Sequence, residues 1–395
     1  MNKQYINTEA LWLVSWYPNV IAPFDGDFIQ RHAKAVSLFK KVTVIHIRKD
    51  DDGLVTKGVT PVVSLSNNLT EIIIYYHPLK TGLGLIDKVL SAVKYRRTYR
   101  SAIKKYLSEN GRPALVHVHV ALKAGIEALW LKKIFNIPFI ISEHWTGYLP
   151  GASPGLDHLS VIQKELVRKI FSQAKKITVV SDVLGKAIVN HFGETNYTIV
   201  PNVVDTSVFF PEYPLKNTPV KFIHISSLEY QKNISAIIEA FALVRSRGYD
   251  FHLIIYGPQK TAVQQIVNKN GLHEVVQFEI EVPQSQLASQ LRTCDALILY
   301  SHYETFGCVV IEANACGIPA ILSNIPVFKE YIMENENGIF VTPNNPVRLA
   351  EKLQAFIAGK YIFDKKKIAE KTAEKFSYTI VGKQFYDLYQ AVLLS

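Results

Sequence analysis

The fold is decided by one stretch, Tyr303-Glu304-Thr305-Phe306-Gly307-Cys308-Val309-Val310-Ile311-Glu312-Ala313-Asn314-Ala315-Cys316-Gly317-Ile318-Pro319. An apolar run precedes it at 296–300 and another follows at 319–322, and both are typical of strands buried in a parallel sheet. A strand, a polar turn, a helix and a second strand form a right-handed crossover. The sequence therefore predicts an α/β domain with a parallel sheet around this stretch.

The polar turn of this stretch lies at the carboxyl end of a strand, where open α/β sheets bind ligands. Gly307 has no side chain where the helix begins, so the free N–H groups of residues 306–309 face outward and form an anion site suited to a phosphate. The carboxylates of Glu304 and Glu312 would repel that phosphate. We therefore expect them to accept hydrogen bonds from hydroxyls on either side of it, a ribose on one side and a second sugar on the other.

The same stretch resembles the Glu-x7-Glu motif of retaining glycosyltransferases of family 4, which have the GT-B fold. The likeness includes the Glu-Thr-Phe-Gly turn and the Glu-Ala-x-Ala-x-Gly-x-Pro tail. In that family the first Glu contacts the transferred sugar and the second contacts the nucleotide ribose, which by position implies Glu304 and Glu312. Two Glu at this spacing alone are also typical of solvated charges, but the surrounding Phe-Gly and Gly-x-Pro favour a site. The predicted donor contacts between them are Thr305, Phe306, Gly307 and Cys308.

The length of 395 residues exceeds one ordinary core and predicts two domains. The GT-B resemblance implies two Rossmann-like α/β domains that face each other across a cleft. We expect an acceptor-binding domain over 1–202, a donor-binding domain over 203–375, and a C-terminal helix over 376–395 that crosses back to the first domain. The boundary is Pro201-Asn202-Val203-Val204-Asp205, which resembles the family's Pro-Asn-Gly-x-Asp with Val203 in place of glycine.

The composition restricts the partners and the compartment. A formal net charge of +10 indicates an anionic partner, and no nucleic-acid motif is visible. No apolar run approaches the ~20 residues of a membrane span, and the run at 10–14 is too short for a signal-peptide core. Without a CxxC or His-rich pattern, Cys294, Cys308 and Cys316 are typical of reduced core residues in a cytoplasmic protein, and neither a metal nor a cofactor is expected.

Four residues of the first half are candidate site residues. Gly26 lies in a loop that resembles the family's Tyr-Pro…Gly-x-Phe opening, which reaches the donor diphosphate or the acceptor; an ordinary turn glycine is equally compatible with the sequence. His117 and His119 lie on the same face of one strand, with His119 nearer the cleft. The family's His-x-His places the second histidine beside the reacting sugar, so we assign His119 to the site and His117 to the core. His144 and Trp145 follow another strand, where the family's Thr-x-His-type segment faces the acceptor.

The donor candidates of the second half follow strand ends. Lys232 lies on a loop before a helix and is suited to a diphosphate. The family usually has Gly-Arg…Lys-Asn here, whereas this chain has Ser226-Ser227, so Lys232 carries the cationic role and Ser227 offers a hydroxyl. Gly257 ends the next strand, and Val282 lies in a loop that in the family touches the nucleotide base.

A basic segment over 86–109 has helical spacing. It fits a solvated surface helix, and it also fits a helix that docks on anionic lipid, as in family 4 enzymes with lipid-linked acceptors. Both interpretations remain open from the sequence.

The resemblance implies a metal-independent, retaining glycosyltransferase that moves a hexose-type sugar from a nucleotide-diphosphate sugar to a glycan or lipid-linked acceptor, in polysaccharide or glycolipid biosynthesis. The predicted catalytic residues are His119, Lys232 and Glu304. The alternatives are a nucleotide-sugar epimerase of GT-B fold and a non-catalytic nucleotide-sugar-binding module. The sequence specifies neither the nucleotide, the sugar, the acceptor nor the oligomeric state.

Overall fold

The computed structural model describes residues 6–55, 61–66, 68–193, 195–213 and 218–394. These form two α/β domains, each built on its own sheet. The first sheet contains β1 Ile6–Val14, β2 Val42–Lys49, β3 Pro61–Ser66, β4 Leu69–Tyr76, β5 Arg112–His119, β6 Phe139–Glu143, β7 Lys176–Val179 and β8 Tyr197–Ile199. The second contains β9 Val220–Ile225, β10 Phe251–Tyr256, β11 Val276–Glu279, β12 Ala296–Leu299, β13 Ala320–Ser323 and β14 Gly338–Val341.

The helices cover both faces of the sheets. Those before the domain junction are α1 Asp27–Ser37, α2 Gly84–Asn110, α3 Ala124–Phe135, α4 Val161–Gln173 and α5 Asp182–Phe192. Those after it are α6 Ile234–Ser246, α7 Thr261–Lys269, α8 Gln284–Arg292, α9 Cys308–Ala315, α10 Pro346–Ile357, α11 Lys365–Phe376 and α12 Tyr378–Leu394. None of the described helices is both long and apolar enough to cross a membrane.

The sheet order explains where a ligand can bind. The first sheet runs β3-β4-β2-β1-β5-β6-β7-β8, with every pair parallel except the β3–β4 hairpin. The second runs β11-β10-β9-β12-β13-β14 and is parallel throughout. The order reverses beside β1 in one sheet and beside β9 in the other, and such switch points form crevices at the carboxyl ends of the strands. The apolar central strands, such as 296–299, are buried on both faces as a covered parallel sheet requires.

The last helix returns to the first domain, which confirms the predicted GT-B architecture. On α12, Val381, Phe385 and Tyr389 are fully buried in the core that surrounds Trp12 of β1. The hydroxyl of Tyr389 lies 2.6 Å from Nδ1 of His117, and Nε2 of His117 lies 2.7 Å from the Ser142 hydroxyl. With both ring nitrogens partnered inside the core, His117 is the core histidine that the sequence predicts.

The structure divides one helix that the sequence predicts and leaves the cysteines unbonded, as the sequence predicts. The apolar spacing over 156–171 predicts one helix, but the structure has a 3-10 turn at Leu156–His158 and then α4. The break occurs because Ser160 caps α4, and its hydroxyl accepts a hydrogen bond from the Gln163 N–H at 3.3 Å. All three cysteines are free. The prolines at 211, 214 and 219 predict a linker over 211–219. This segment lies partly outside the described residues, which omit 214–217.

Candidate donor and acceptor site

A cavity of about 490 Å³ lies in the cleft between the two domains and is lined by residues of both. Its walls come from the loop after β1, from α1 and from the segment after β6 on one side. On the other side they come from the loops after β9, β10 and β11 and from the start of α9. Eleven of the predicted site residues line it: His144, Trp145, Ser227, Lys232, Gly257, Val282, Glu304, Thr305, Gly307, Cys308 and Glu312.

The start of α9 has the geometry that an anion site needs. Gly307 is the N-cap and has φ 88°, a left-handed conformation that side chains rarely adopt. A Cβ atom at Gly307 would also lie 2.9 Å from the ring of Phe328. The glycine therefore allows the chain to turn sharply from Glu304 into the helix, so that the helix N-terminus opens on the cavity.

Glu304 and Lys232 form an ion pair at the wall of the cavity. Nζ of Lys232 lies 2.5 Å from Oε1 of Glu304, which also accepts a hydrogen bond from the Ser301 hydroxyl at 2.9 Å. The side chain of Glu304 is 5% exposed and that of Lys232 is 18% exposed. Because the lysine remains partly accessible, it can contact a second anion that enters the cavity.

A second ion pair connects the two domains. Nη1 of Arg31, on α1, lies 2.5 Å from Oε1 of Glu312, on α9, and Nη2 of Arg31 lies 2.8 Å from Oδ2 of Asp27. Arg31 and Glu312 are both almost completely buried. Burial raises the pKa of Glu312, while the charge of Arg31 opposes that rise. The predicted ribose contact is thus held by a cation of the opposite domain.

Small residues keep the donor side of the cavity open. Gly257 ends β10 next to the loop that carries Ser227, and a Cβ there would collide with the Ser226 carbonyl oxygen and lie 3.0 Å from Cγ of Leu228. Ser227 lines the same cavity as Lys232. Where the family usually has arginine, this side of the cavity therefore has a neutral hydroxyl and one lysine.

His119 lies behind the wall rather than on it. It is fully buried, and its Nδ1 is 3.2 Å from Nε2 of His144, which does line the cavity. Trp12 stacks on the other face of the His119 ring, with centroids 4.2 Å apart. Burial lowers the pKa of both histidines well below the ordinary value, so both rings are neutral near neutral pH. His119 can therefore act on a ligand through His144, or directly once the His144 ring moves.

Two other predicted residues do not line the cavity. Gly26 is the N-cap of α1 with φ 66°, and a Cβ there would lie 2.7 Å from the Trp16 carbonyl carbon, so the glycine allows α1 to pack closely against this loop. The Phe306 ring stacks on Tyr331 with centroids 4.9 Å apart, inside the core. The roles of Gly26 and Phe306 as donor contacts remain predictions.

Sequence reasoning missed the residues that α1 contributes, chiefly Asp27, Phe28 and Arg31. Asp27 and Arg31 are four residues apart, which is typical of an exposed helix pair. The third partner, Glu312, is 281 residues away in the chain. The available signal was the Gly26-x-Phe28 opening, which indicated that the start of this helix faces the cleft.

Two family models match the chain, in adjoining segments. Residues 57–208 match the model described as "Glycosyltransferase Family 4", and residues 205–378 match "Glycosyl transferases group 1". The two matches together cover most of the chain, and both models describe glycosyltransferases. The chain belongs to glycosyltransferase family 4.

Curated relatives carry a range of glycosyltransferase names. A glycogen synthase of Mycobacterium tuberculosis is 26% identical over 258 residues, which are 62% of this chain and 60% of that protein. A D-inositol 3-phosphate glycosyltransferase of Paenarthrobacter aurescens is 23% identical and is matched over 64% of its length. An N-acetyl-alpha-D-glucosaminyl L-malate synthase of Bacillus anthracis is 24% identical over 302 residues, which are 71% of this chain and 75% of that protein. The chain thus spans less than two thirds of the length of the glycogen synthase and of the D-inositol 3-phosphate glycosyltransferase.

Solved structures share the fold over almost the whole chain. Sucrose-phosphate synthase from Thermosynechococcus elongatus superimposes with a TM-score of 0.78 at 18% identity and covers 98% of this chain and 99% of its own. Anabaena Alr3699/HepE, solved in complex with UDP and glucose, has a TM-score of 0.73 at 15% identity, covering 97% of this chain and all of its own. These similarities support the GT-B fold.

Proposed function

We propose that the protein is a retaining glycosyltransferase that moves a hexose-type sugar from a nucleotide-diphosphate sugar to an acceptor. The observation that carries the proposal is the shared cavity in which a helix N-terminus, Lys232, Glu304 and Glu312 meet. These groups match the parts of one ligand: a diphosphate, a sugar with free hydroxyls and a ribose. The UDP complexes of Alr3699/HepE, a structural neighbour, are consistent with this ligand class.

The diphosphate is stabilised at the start of α9. The free N–H groups of the helix and Lys232 face the charge that develops on the β-phosphate as the sugar leaves, which is the arrangement that lowers a barrier most. These groups can supply that stabilisation without a metal ion, and we propose that transfer is metal-independent. Glu304 then orients the sugar hydroxyls, and Glu312 holds the ribose.

Arg31 supplies the second cation of the donor site. The family's arginine is replaced by Ser227, and the guanidinium of Arg31 lines the same cavity from the opposite domain. In the structure the guanidinium is paired with Asp27 and Glu312. When Glu312 binds a ribose instead, Nη1 of Arg31 becomes available to a phosphate. A guanidinium suits a phosphate because its parallel N–H groups can donate to two phosphate oxygens.

Transfer takes place on one face of the sugar. The bond between the anomeric carbon and the β-phosphate oxygen breaks, a bond to the acceptor oxygen forms on the same face, and the acceptor proton passes to the leaving phosphate.

Four carboxylates line the cavity, at Asp27, Glu281, Glu304 and Glu312. Asp27 and Glu312 are held by Arg31, and Glu304 is held by Lys232. These pairings favour positioning roles over attack on the sugar. His144 and Trp145 face the acceptor end, with His119 behind His144.

The acceptor carries an anionic group. A second cavity of about 830 Å³ adjoins the first, and both are lined by Trp16. Basic side chains outnumber acidic ones on its walls, which include Asp25, Asp51 and Asp87. The basic residues are Arg48, Lys49, Lys80, Lys88, Arg96 and Lys123. An acceptor hydroxyl near Trp16 would leave a linked phosphate within this basic cavity.

Exposed aliphatic side chains beside the basic cavity favour a lipid-linked acceptor. They lie in the loop before α2 and along its first turns, at Leu79, Leu83, Leu85, Ile86, Val89 and Val93. Aliphatic residues next to lysines and arginines are typical of surfaces that bind anionic bilayers. We propose that α2 rests on the cytoplasmic face of a membrane, where the protein contributes to glycolipid or polysaccharide biosynthesis.

The donor class is tested by thermal unfolding with UDP, GDP, ADP and their hexose conjugates. We expect one nucleotide to raise Tm, because a ligand at about 100 times its Kd stabilises the folded state by roughly 2.7 kcal/mol. Glu312→Ala should weaken that shift, since it removes the ribose contact. The matched control is Glu370→Ala, which changes an exposed ion pair on α11. If none of the nucleotides shifts Tm, the donor assignment is wrong.

The products formed from a nucleotide sugar, with and without an acceptor, distinguish a transferase from an epimerase and from a binding module. A transferase forms a glycosylated acceptor and free nucleoside diphosphate, an epimerase converts the donor without an acceptor, and a binding module does neither. Anomeric NMR of the product tests retention of configuration.

Membrane docking is tested by cosedimentation with phosphatidylcholine vesicles that contain or lack phosphatidylglycerol. Lys88 and Arg97 are exposed on α2. Because each basic residue contributes about 1 kcal/mol at an anionic surface, Lys88→Glu with Arg97→Glu should weaken binding by roughly 30-fold or more. The matched control is Lys366→Glu with Lys375→Glu, two exposed lysines of α11. Equal binding of both double variants would exclude α2 as the docking element.

A further inference from the structure

Three imidazoles from separate elements converge behind the acceptor end of the cleft: His32 on α1, His119 at the end of β5, and His144 just after β6. One ring nitrogen of each lies within 4.8 Å of those of the other two, and all three residues are buried. We propose that this histidine triad binds a divalent transition-metal ion of the Zn²⁺ class, and that the bound ion inhibits glycosyl transfer. The inhibitory half rests on the proposed function, whereas the binding half does not.

The polar atoms of the triad have unused hydrogen-bonding capacity. Nδ1 of His32, Nε2 of His119 and Nδ1 of His144 are buried, and none has a hydrogen-bond partner among the described residues. Most buried polar side-chain atoms in proteins are satisfied, so three unsatisfied ones in a single cluster require an explanation. A cation bound by Nδ1 of His32 together with Nδ1 of His119 and Nε2 of His144 would satisfy the first of these three atoms.

The hydrogen bonds that do exist prepare the rings for a metal. Nε2 of His32 lies 3.1 Å from the Pro201 carbonyl oxygen. Because a carbonyl only accepts, that nitrogen carries the proton, and the lone pair of the ring is on Nδ1. A backbone carbonyl that fixes a ligand ring in this way is the usual outer partner of a metal-bound histidine. The contact of 3.2 Å between Nδ1 of His119 and Nε2 of His144 is a hydrogen bond that shares one proton. When a metal ion enters between the two rings, that proton moves to the other nitrogen of its own ring, so both facing nitrogens offer lone pairs and both ligands stay neutral.

The distances suit a small tetrahedral ion. Zn–N bonds of 2.0–2.1 Å place two ligand nitrogens about 3.3 Å apart. The His119–His144 pair is already at 3.2 Å, so the remaining adjustment is the approach of His32 from within 4.8 Å. Three neutral nitrogen ligands favour Zn²⁺, Cu²⁺ or Ni²⁺ and disfavour Mg²⁺ or Ca²⁺, which require oxygen ligands.

The charges around the triad permit a cation. Burial lowers the pKa of His32 to about 4, so the ring is neutral, which is the form that binds metal. Arg31 is the nearest fixed positive charge that acts on His32, but it is paired with Asp27 and Glu312. The added charge of the ion is therefore opposed by a guanidinium that two carboxylates already neutralise.

Binding would withdraw two predicted site residues from the reaction. His144 lines the cavity, so the fourth ligand position of the ion opens towards the acceptor end. An ion held there fixes His119 and His144 and occupies space that an acceptor hydroxyl needs. The nucleotide contacts at Lys232 and Glu312 lie on the opposite domain. Zinc should consequently reduce turnover while nucleotide binding is retained.

The binding half is tested by isothermal titration calorimetry of the full chain with ZnCl₂ and, separately, MgCl₂. We expect one Zn²⁺ per chain and no Mg²⁺ binding at this site, and Co²⁺ should give the visible absorption of a tetrahedral nitrogen site. His32→Gln should weaken Zn²⁺ binding by more than the roughly 10–100-fold of an outer-partner change. The matched control is His273→Gln, an exposed histidine of the second domain. Zinc binding that survives His32→Gln and His144→Gln unchanged overturns the proposal.

The inhibitory half uses His32→Gln again, because His32 does not line the donor cavity and an amide can still donate to Pro201. We expect this variant to retain turnover and nucleotide-induced stabilisation but to resist zinc concentrations that inhibit the wild type. Circular dichroism and Tm establish that the variant is folded, and His144→Gln provides a second folded variant for calorimetry. Equal zinc inhibition of wild type and His32→Gln would overturn the inhibitory half. Failure of all nucleotide binding would overturn the transferase assignment alone, since calorimetry with zinc needs no turnover.

Discussion

Lys232→Ala is expected to lower kcat for sugar transfer by about 10²–10³-fold, because in the proposed donor site it removes the cation nearest the developing charge on the leaving phosphate. It also leaves Glu304 with only the Ser301 hydroxyl in a largely buried position. The measurement is the steady-state release of nucleoside diphosphate with saturating donor. Lys232→Arg should recover part of the rate, since it restores the charge with different geometry.

The matched control for this prediction is Lys260→Ala. Lys260 is paired with Glu229 at 2.8 Å and does not line the donor cavity. Its loss should change kcat less than about twofold, as expected for a partly exposed ion pair. Comparable losses for both lysines would mean that the net positive charge of the domain, rather than contact with the diphosphate, sets the rate.

Arg31→Met is expected to destabilise the protein by about 3–5 kcal/mol, because it leaves the buried carboxylate of Glu312 without its cation. It should also weaken donor binding, since the guanidinium no longer helps to neutralise the diphosphate. Urea unfolding measures the first effect, and the nucleotide-induced Tm shift measures the second.

A double-mutant cycle isolates the interdomain pair. Arg31→Met with Glu312→Gln removes both charges, so much of the stability should return while donor binding stays weak. Arg245→Met is the control, because Arg245 pairs with Asp250 on the surface, where such a pair contributes about 0–1 kcal/mol. If Arg31→Met costs no more than this control, the pair does not join the domains energetically.

Local chemistry explains why the placement of Glu304, Gly307 and Glu312 around one cavity was predictable. Gly307, Glu304 and Glu312 are within nine residues of each other, and the backbone of one turn and one helix fixes their positions. The strands on either side are short, continuous apolar runs, and this pattern is typical of strands buried on both faces of a parallel sheet. Lys232 was predictable for the same reason, since it follows a strand and precedes a helix.

The rest of the site depends on contacts between distant segments. Arg31 looks like half of a surface pair until α1 packs against α9, and nothing in residues 27–37 shows that packing. The approach of His32 to His119 and His144 likewise arises only when α1, β5 and β6 meet. The second cavity was equally hidden, because its cations come from the end of β2, from the loops after β4 and β5, and from α2.

The returning helix has a consequence for how the chain folds as it is synthesised. Trp12 and Val14 belong to β1, which is synthesised long before α12, yet their core is completed by Val381, Phe385 and Tyr389 of α12. Domains usually fold one after another, beginning with the N-terminal one. Here the first domain exposes an apolar face to the cell until the whole second domain and residues 378–394 have been translated. We therefore expect the surface of α1 that α12 later covers to be the part of this domain that needs shielding during synthesis.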